Sequence, residues 1–169
     1  KLAVVVEEGR GDSIRITDQL AASGKHSLQF TDAPDLKHTF NPHLFYIPRA
    51  REGEAALRFQ VRLEQGAVLV HEWRDSAQPY RVGPSLVLTG GGKLTANGKP
   101  LLDLPADTWV QLEIKCPLGK KATGTYTLSV SLPNEPPKHF ADLPCGHAEF
   151  RRLWWLGLVS LAQQKKVFY

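Results

Sequence analysis

Leu57-Arg58-Phe59-Gln60-Val61-Arg62-Leu63-Glu64 alternates apolar and polar residues without a break, the period of a β-strand that buries one face. Val110-Gln111-Leu112-Glu113-Ile114-Lys115 and Tyr126-Thr127-Leu128-Ser129-Val130-Ser131-Leu132 repeat the pattern. Shorter pieces keep the same period: Ile14-Arg15-Ile16, Leu28-Gln29-Phe30, and Leu86 with Leu88. Residues 66–74 and 153–161 are nearly continuous apolar runs and predict strands covered on both faces. No segment sustains a helical apolar stripe. The best helical stretch, Asp18 to Ala22, is about one turn long before Ser23-Gly24 ends it.

Turn chemistry separates these runs. Gly90-Gly91-Gly92 and Asn97-Gly98 punctuate a hairpin stretch, Asn-Gly being a strong two-residue turn signal. Pro133-Asn134-Glu135-Pro136-Pro137 marks another return before His139-Phe140. Many short strands without intervening helices mean an all-β antiparallel sandwich or barrel. Its inward residues should include Leu57, Phe59, Val61, Leu63, Val110, Leu112, Ile114, Leu128 and Val130, with Arg58 and Arg62 outward. No repeat or linker divides residues 1–169, which read as one domain.

Composition narrows the classes. The 169 residues are 42% hydrophobic and 22% charged, enough for a sizeable core and too apolar for disorder. Lys and Arg total 21 against 17 Asp and Glu, a formal net charge of +4. These charges are scattered along the chain, so no nucleic-acid partner is expected. No apolar run is long enough to span a bilayer, and no secretory leader is read at the start. Met is absent, at position 1 as elsewhere, so the chain is expected to be excised from a larger protein with other domains. Two cysteines, Cys116 and Cys145, exclude a CxxC knuckle. Both sit at element ends, compatible with a disulfide or with two free thiols. The bridge is the expectation, closing a loop of roughly 30 residues for ~3 kcal/mol on the chain-entropy model and placing the protein outside the cytoplasm.

Three stretches carry a family likeness. Thr17-Asp18-Gln19-Leu20-Ala21-Ala22-Ser23-Gly24-Lys25-His26-Ser27-Leu28-Gln29-Phe30-Thr31-Asp32 resembles the early hairpin of bacterial extracellular jelly-roll domains. Asp107-Thr108-Trp109-Val110-Gln111-Leu112-Glu113-Ile114 is similar to the Trp-led strand of concanavalin A-like lectin/glucanase (LamG-like) sandwiches. Trp154-Trp155-Leu156-Gly157 through Val167-Phe168-Tyr169 is similar to their last strands. The resemblance implies a two-sheet antiparallel jelly roll with almost no helix. It also implies polysaccharide recognition or processing in an extracellular or periplasmic protein, as an analogy of fold. No cofactor is required. Such modules often hold structural Ca²⁺ near the N-terminal hairpin, where Glu7, Glu8, Asp12, Asp18, Asp32 and Asp35 cluster. Glu8, Asp12 and Asp32 are the ligands this suggests, the structural reading being turn and cap carboxylates.

The chemically densest stretch is His71-Glu72-Trp73-Arg74-Asp75, followed by Gln78, Tyr80 and Arg81. On a strand, Glu72 and Arg74 share one face while His71, Trp73 and Asp75 share the other. Glu72, Arg74, Tyr80 and Arg81 supply planar polar groups for sugar hydroxyls, with Trp73 or Trp155 as the aromatic platform. The two arginines also suit an acidic or sulfated sugar. The structural alternative is an ion pair dressing a strand, with Trp73 in the core.

Catalysis finds less support. Lectin-fold glucanases use a Glu-x-Asp-x-Glu strand, and glycosidases need two carboxyl groups flanking the bond. Glu72 and Asp75 point to opposite sides of a regular strand, as do Glu7 and Glu8. None of the six histidines pairs at metal-binding spacing. Gly90-Gly91-Gly92-Lys93 lacks the Ser/Thr of a phosphate loop, and Arg10-Gly11-Asp12 is a chance match to an adhesion tripeptide. The sequence therefore reads as a non-catalytic polysaccharide-binding module, the alternative being a small secreted glycoside hydrolase or lyase on the same sandwich.

Overall fold

A computed structural model describes residues 1–169 as an all-β chain. The strands are β1 (Leu2–Val5), β2 (Ser13–Thr17), β3 (Ser27–Thr31), β4 (His43–Tyr46), β5 (Gly53–Arg62), β6 (Val68–Arg74) and β7 (Val82–Thr89). They continue with β8 (Lys93–Ala96), β9 (Lys99–Asp103), β10 (Trp109–Leu118), β11 (Thr125–Ser131), β12 (Lys138–Pro144), β13 (Trp155–Ser160) and β14 (Val167–Phe168). Helix is confined to two 3-10 turns, Glu8–Arg10 and Gly119–Lys121. The Asp18–Ala22 stretch forms bends and no helix.

Antiparallel pairing builds a seven-stranded sheet in the order β1-β4-β13-β6-β7-β8-β9 and a four-stranded sheet in the order β12-β11-β10-β5. The sequence reading did not separate a third sheet, β14-β3-β2. Leu63 bridges Phe168, and the Arg62 and Tyr169 backbones exchange hydrogen bonds of 3.0 and 2.9 Å, so the third sheet prolongs the second. Asn97 and Gly98 join β8 to β9 with positive φ of 46° and 77°, the two left-handed residues of a type I′ turn.

The alternating strands meet where the pattern requires. Val61, Leu63, Val110, Leu112, Ile114, Leu128 and Val130 are buried, and Leu57 and Phe59 pack against them from the sandwich's edge. The register places Leu112 opposite Phe59 and Val130, and Ile114 opposite Leu57 and Leu128. Arg58 stays outside and meets Glu113 at 3.0 Å. Leu112→Ala should lower unfolding free energy by about 2–5 kcal/mol in urea titration. Arg58→Ala, which removes only an exposed ion pair, should cost less than about 1 kcal/mol.

The expected disulfide is corrected. Cys116 and Cys145 are free thiols, both buried. Their side chains are neighbours, but the Cys116 sulfur lies 3.7 and 3.8 Å from the Pro117 and Thr125 carbonyls. Contact with the Cys145 sulfur, and then burial, pushes the Cys116 thiol far above the ordinary range. The same contact lowers the Cys145 thiol, so resistance to reagents rests on the enclosure of both sulfurs. The native protein should resist aromatic disulfide reagents at mildly alkaline pH, and the unfolded, unreduced chain should release two thiols' worth of chromophore. Release of none would restore the bridge.

Candidate functional site

Strands β6 and β13 lie side by side in the middle of the seven-stranded sheet, and their two faces do different work. On the inner face the His71 Nδ1–H donates to the Gly157 carbonyl at 2.8 Å, and Nε2 accepts the Trp73 indole N–H at 2.8 Å. Both residues are wholly buried, with the Phe59 ring 5.4 Å from the imidazole. Trp73 is therefore a core residue, which corrects its reading as a sugar platform. The Nε2 lone pair is already committed to an N–H donor, so a second proton there has no acceptor.

Burial lowers the His71 pKa from 6.5 to about 4, against a smaller opposing effect of the Gly157 carbonyl. Between those values the unfolded chain binds a proton that the folded chain excludes, so stability rises with pH across that window. It should fall by about 3 kcal/mol as the pH drops from the upper value to the lower. Chemical denaturation of wild type and His71→Gln across that range should show their stability difference narrowing toward acid. A constant difference would mean that His71 is not held neutral.

On the outer face, Trp155 stands opposite Arg74, and Gly157 opposite Glu72 and Phe45. The Arg74 guanidinium lies 4.3 Å from the Trp155 ring centroid and 4.3 Å from that of Tyr80. Its Nε donates to Glu72 Oε1 at 2.5 Å, which leaves the terminal nitrogens for a ligand. Trp155 in turn stacks on Phe45 at 5.9 Å, and Phe45 on His43 at 5.9 Å. Strand order sets Phe45 and Arg74 on opposite sides of the indole, so Trp155 is a wall between them and not a free platform. Tyr80, 49% exposed, offers the accessible ring.

Gly157 is what lets Trp155 stand there. A Cβ at this position would collide with the outer edge of the indole, so the missing side chain is a notch for the ring. Arg81 plays a different part from Arg74. Its backbone N–H donates to Asp75 Oδ1 at 2.8 Å, and its guanidinium pairs with Glu149 at 3.1 Å, pinning the loop that carries Tyr80.

The sequence weighs His43 only as a metal ligand, with His38, and not as part of this face, because its alternation with Phe45 spans only a four-residue strand. Asn41 Nδ2 donates to Glu7 Oε1 at 2.8 Å, which turns Asn41 Oδ1 toward His43 Nδ1 at 2.9 Å. A carboxylate only accepts, so the amide orientation is fixed and Nδ1 carries the proton. The Nε2 lone pair is left free. Burial, and then the nearby Arg74 charge, lowers the His43 pKa, while the Phe40 carbonyl opposes them. The imidazole is thus neutral at neutral pH.

Of the suggested calcium ligands, Asp12 and Asp32 are both buried and directly flank the Ser13–Thr31 pair that joins β2 to β3. Asp32 Oδ2 accepts Ser160 Oγ at 2.7 Å and the Ala162 and Gln163 N–H groups at 2.8 and 3.3 Å, while Oδ1 accepts the Ala33 N–H at 2.7 Å. Asp12 Oδ1 accepts the Glu7 N–H at 2.7 Å, and its buried Oδ2 has no partner. Glu8 faces solvent, and no three carboxylate, imidazole or thiol groups are close enough to share an ion. Asp12 and Asp32 hold loop N–H groups with the carboxylate oxygens that are engaged.

A groove of about 1230 Å³ elsewhere, between Lys93 and His139, holds charges that are already matched: Lys93 with Asp103 at 2.7 Å and Lys138 with Glu135 at 3.0 Å. The outer face of β13 and β6 is the better candidate, because an oriented guanidinium with free terminal nitrogens stands there beside an accessible aromatic ring.

No protein-family model matches the sequence, and no curated protein matches it significantly. Solved structures do match. The endo-β-1,4-glucuronan lyase of the fungus Trichoderma reesei superposes with a TM-score of 0.68 at 8% identity, covering 98% of this chain and 87% of that one. The fold is a jelly roll. Peanut lectin matches with a TM-score of 0.56 at 7% identity, over 99% of this chain and 94% of the lectin. A carbohydrate esterase from the Shiga toxin-encoding bacteriophage phi24B gives 0.51 at 10% identity, over 99% and 86%. At such identities the jelly roll is shared and the site residues are this chain's own.

Proposed function

We propose that the protein binds a polysaccharide chain across the outer face of its seven-stranded sheet, as a non-catalytic recognition module of an extracellular or periplasmic carbohydrate-active protein. The observation that carries this reading is Arg74, clamped between Trp155 and Tyr80 and oriented by Glu72. A guanidinium immobilised before binding loses little freedom on meeting a ligand, and its planar fork spans vicinal hydroxyls or a carboxylate. Tyr80 supplies an apolar ring beside it. A lectin, a lyase and a carbohydrate esterase among the structural neighbours add support for a sugar ligand.

One observation favours a second reading, a lyase. His43 stands on the same face with Nδ1 bonded to Asn41 and its imidazole neutral, two rings along the row from Arg74. Proton abstraction beside a uronate carboxylate needs a base of this kind and a cation to neutralise the carboxylate. In such an elimination, the C5–H electrons form the C4–C5 double bond, the C4–O bond breaks, and the leaving oxygen takes a proton. Hydrolysis has less to draw on: Glu72 is the one carboxylate among the outward positions of β13, β6 and β7, and Arg74 holds it.

Affinity electrophoresis against a polysaccharide panel tests the proposal. Arg74→Ala and Trp155→Ala should each weaken binding at least about 10-fold, worth about 1.4 kcal/mol, with melting temperature nearly unchanged. Gly157→Ala should do the same by pushing the indole from its notch, although residue 157 needs no contact with sugar. Retained affinity in all three variants would overturn the site. A His43-dependent rise in the ultraviolet absorbance of unsaturated uronate would replace binding with cleavage.

A further inference from the structure

Beside the Arg74 clamp, two clefts meet along a basic seam. One, of about 500 Å³, is lined by Arg51, Glu52, Gly119, Lys120, Arg151 and Arg152, without an apolar residue. The other, of about 330 Å³, shares Arg151 and Arg152 and reaches Arg81 and Asp75. Asp75 directly follows Arg74, and the Trp154 N–H donates to the Arg74 carbonyl at 2.9 Å, so the seam runs from the clamp outward.

The seam is built, and its cations outnumber its acids. Ala50 and Leu153 exchange backbone hydrogen bonds of 2.9 Å, and the Gly119 N–H donates to the Arg151 carbonyl at 2.8 Å. Three chain segments are thereby fastened together, each carrying one or two of the cations. None of Arg51, Lys120, Arg151 or Arg152 makes an ion pair, and all four line one cleft. The one acid in the first cleft, Glu52, is turned to the Lys120 backbone N–H at 3.1 Å. Arg151 gives one guanidinium N–H to the Ala122 carbonyl at 3.3 Å, which carries no counter-charge. Like charges held side by side without paired acids repel one another, and a polyanion laid over them relieves that repulsion.

We infer that the ligand is a polyanionic glycan, carboxylated or sulfated, whose chain leaves the Arg74 clamp and continues over the seam of Arg151, Arg152, Arg51 and Lys120. The inference rests on the polysaccharide-binding reading and extends it to the charge of the ligand and to a second binding region. Arginine forks match carboxylate and sulfate oxygens in pairs, which suits charge repeated along a polymer. A single-stranded nucleic acid fits less well, because it needs successive free aromatic faces and the clamp's indole is walled in on both sides.

The experiment is calorimetric titration of the whole chain with a polyuronate, a sulfated polysaccharide, a neutral glucan and single-stranded DNA at several salt concentrations. Wild type should prefer a polyanionic glycan at least 10-fold over the glucan, with affinity falling as salt rises, and the preferred polymer tells carboxylate from sulfate. The Arg151→Ala/Arg152→Ala variant should lose at least 10-fold for the polymer and flatten the salt dependence, yet bind a trisaccharide as wild type does. Arg51→Gln/Lys120→Gln, on the opposite wall, provides an independent variant should the first misfold. Equal affinity for neutral and anionic glycans, or unchanged binding in both variants, overturns the polyanion inference while the binding reading stands. Tighter binding of DNA than of any glycan overturns it too. Failure of wild type to bind any glycan removes both.

Discussion

The imidazole of His71, held between the Trp73 indole N–H and the Gly157 carbonyl, is the constraint from which the candidate site follows. Two polar side chains in the middle of a core are tolerable only when their donors and acceptors are matched. Here each ring N–H finds one acceptor, and the cost of burying them becomes a restriction on geometry. Strands β6 and β13 are held in one register, and the register decides what stands on the other face. Arg74 then falls opposite Trp155, and Glu72 opposite the Gly157 notch.

Above that foundation the side chains form one row across three strands: His43, Phe45, Trp155, Arg74 and Tyr80. Each contact is modest, a cation over an exposed ring contributing roughly 0.5–1 kcal/mol. Their joint effect is positional. An arginine on an open strand carries about 2 kcal/mol of rotamer entropy that a ligand would have to suppress. In the row much of that loss has already been taken by folding. Glu72 trims the charge without removing it, since only the Nε–H is engaged.

Fold class was legible because alternation over β5, β10 and β11 runs for seven or more residues and admits one period. Asn97-Gly98 was equally clear, since few dipeptides accept two positive φ values. The third sheet was not, because β14 has two residues and its partner Leu63 already belonged to the longest alternating run. In the stretch 71–75, alternation splits the side chains into a buried and an outer face, as the structure does. Which face was buried depended on β10 and β11 lying beneath, a long-range fact. Trp73 went to the core and Arg74 to the surface. The row itself joins residues 43, 45, 74, 80 and 155, and no local pattern links positions so far apart. Cys116 and Cys145 show the same limit: position at element ends brought them together, but spacing says nothing of whether the sulfurs are bonded.

The central claim is that ligand meets the outer face of β6 and β13 and leaves the opposite sheet untouched. Nitrogen–proton NMR spectra recorded during addition of an anionic oligosaccharide test it directly. The account predicts shifts for the Arg74 Nε–H, the Trp155 indole N–H and the backbone amides of residues 74, 80 and 155. The Trp73 indole N–H, bonded to His71 inside the core, and the amides of β10 and β11 should hold still. Shifts confined to β10, β11 or the groove beside Lys93, with Arg74 and Trp155 unmoved at saturation, would contradict it.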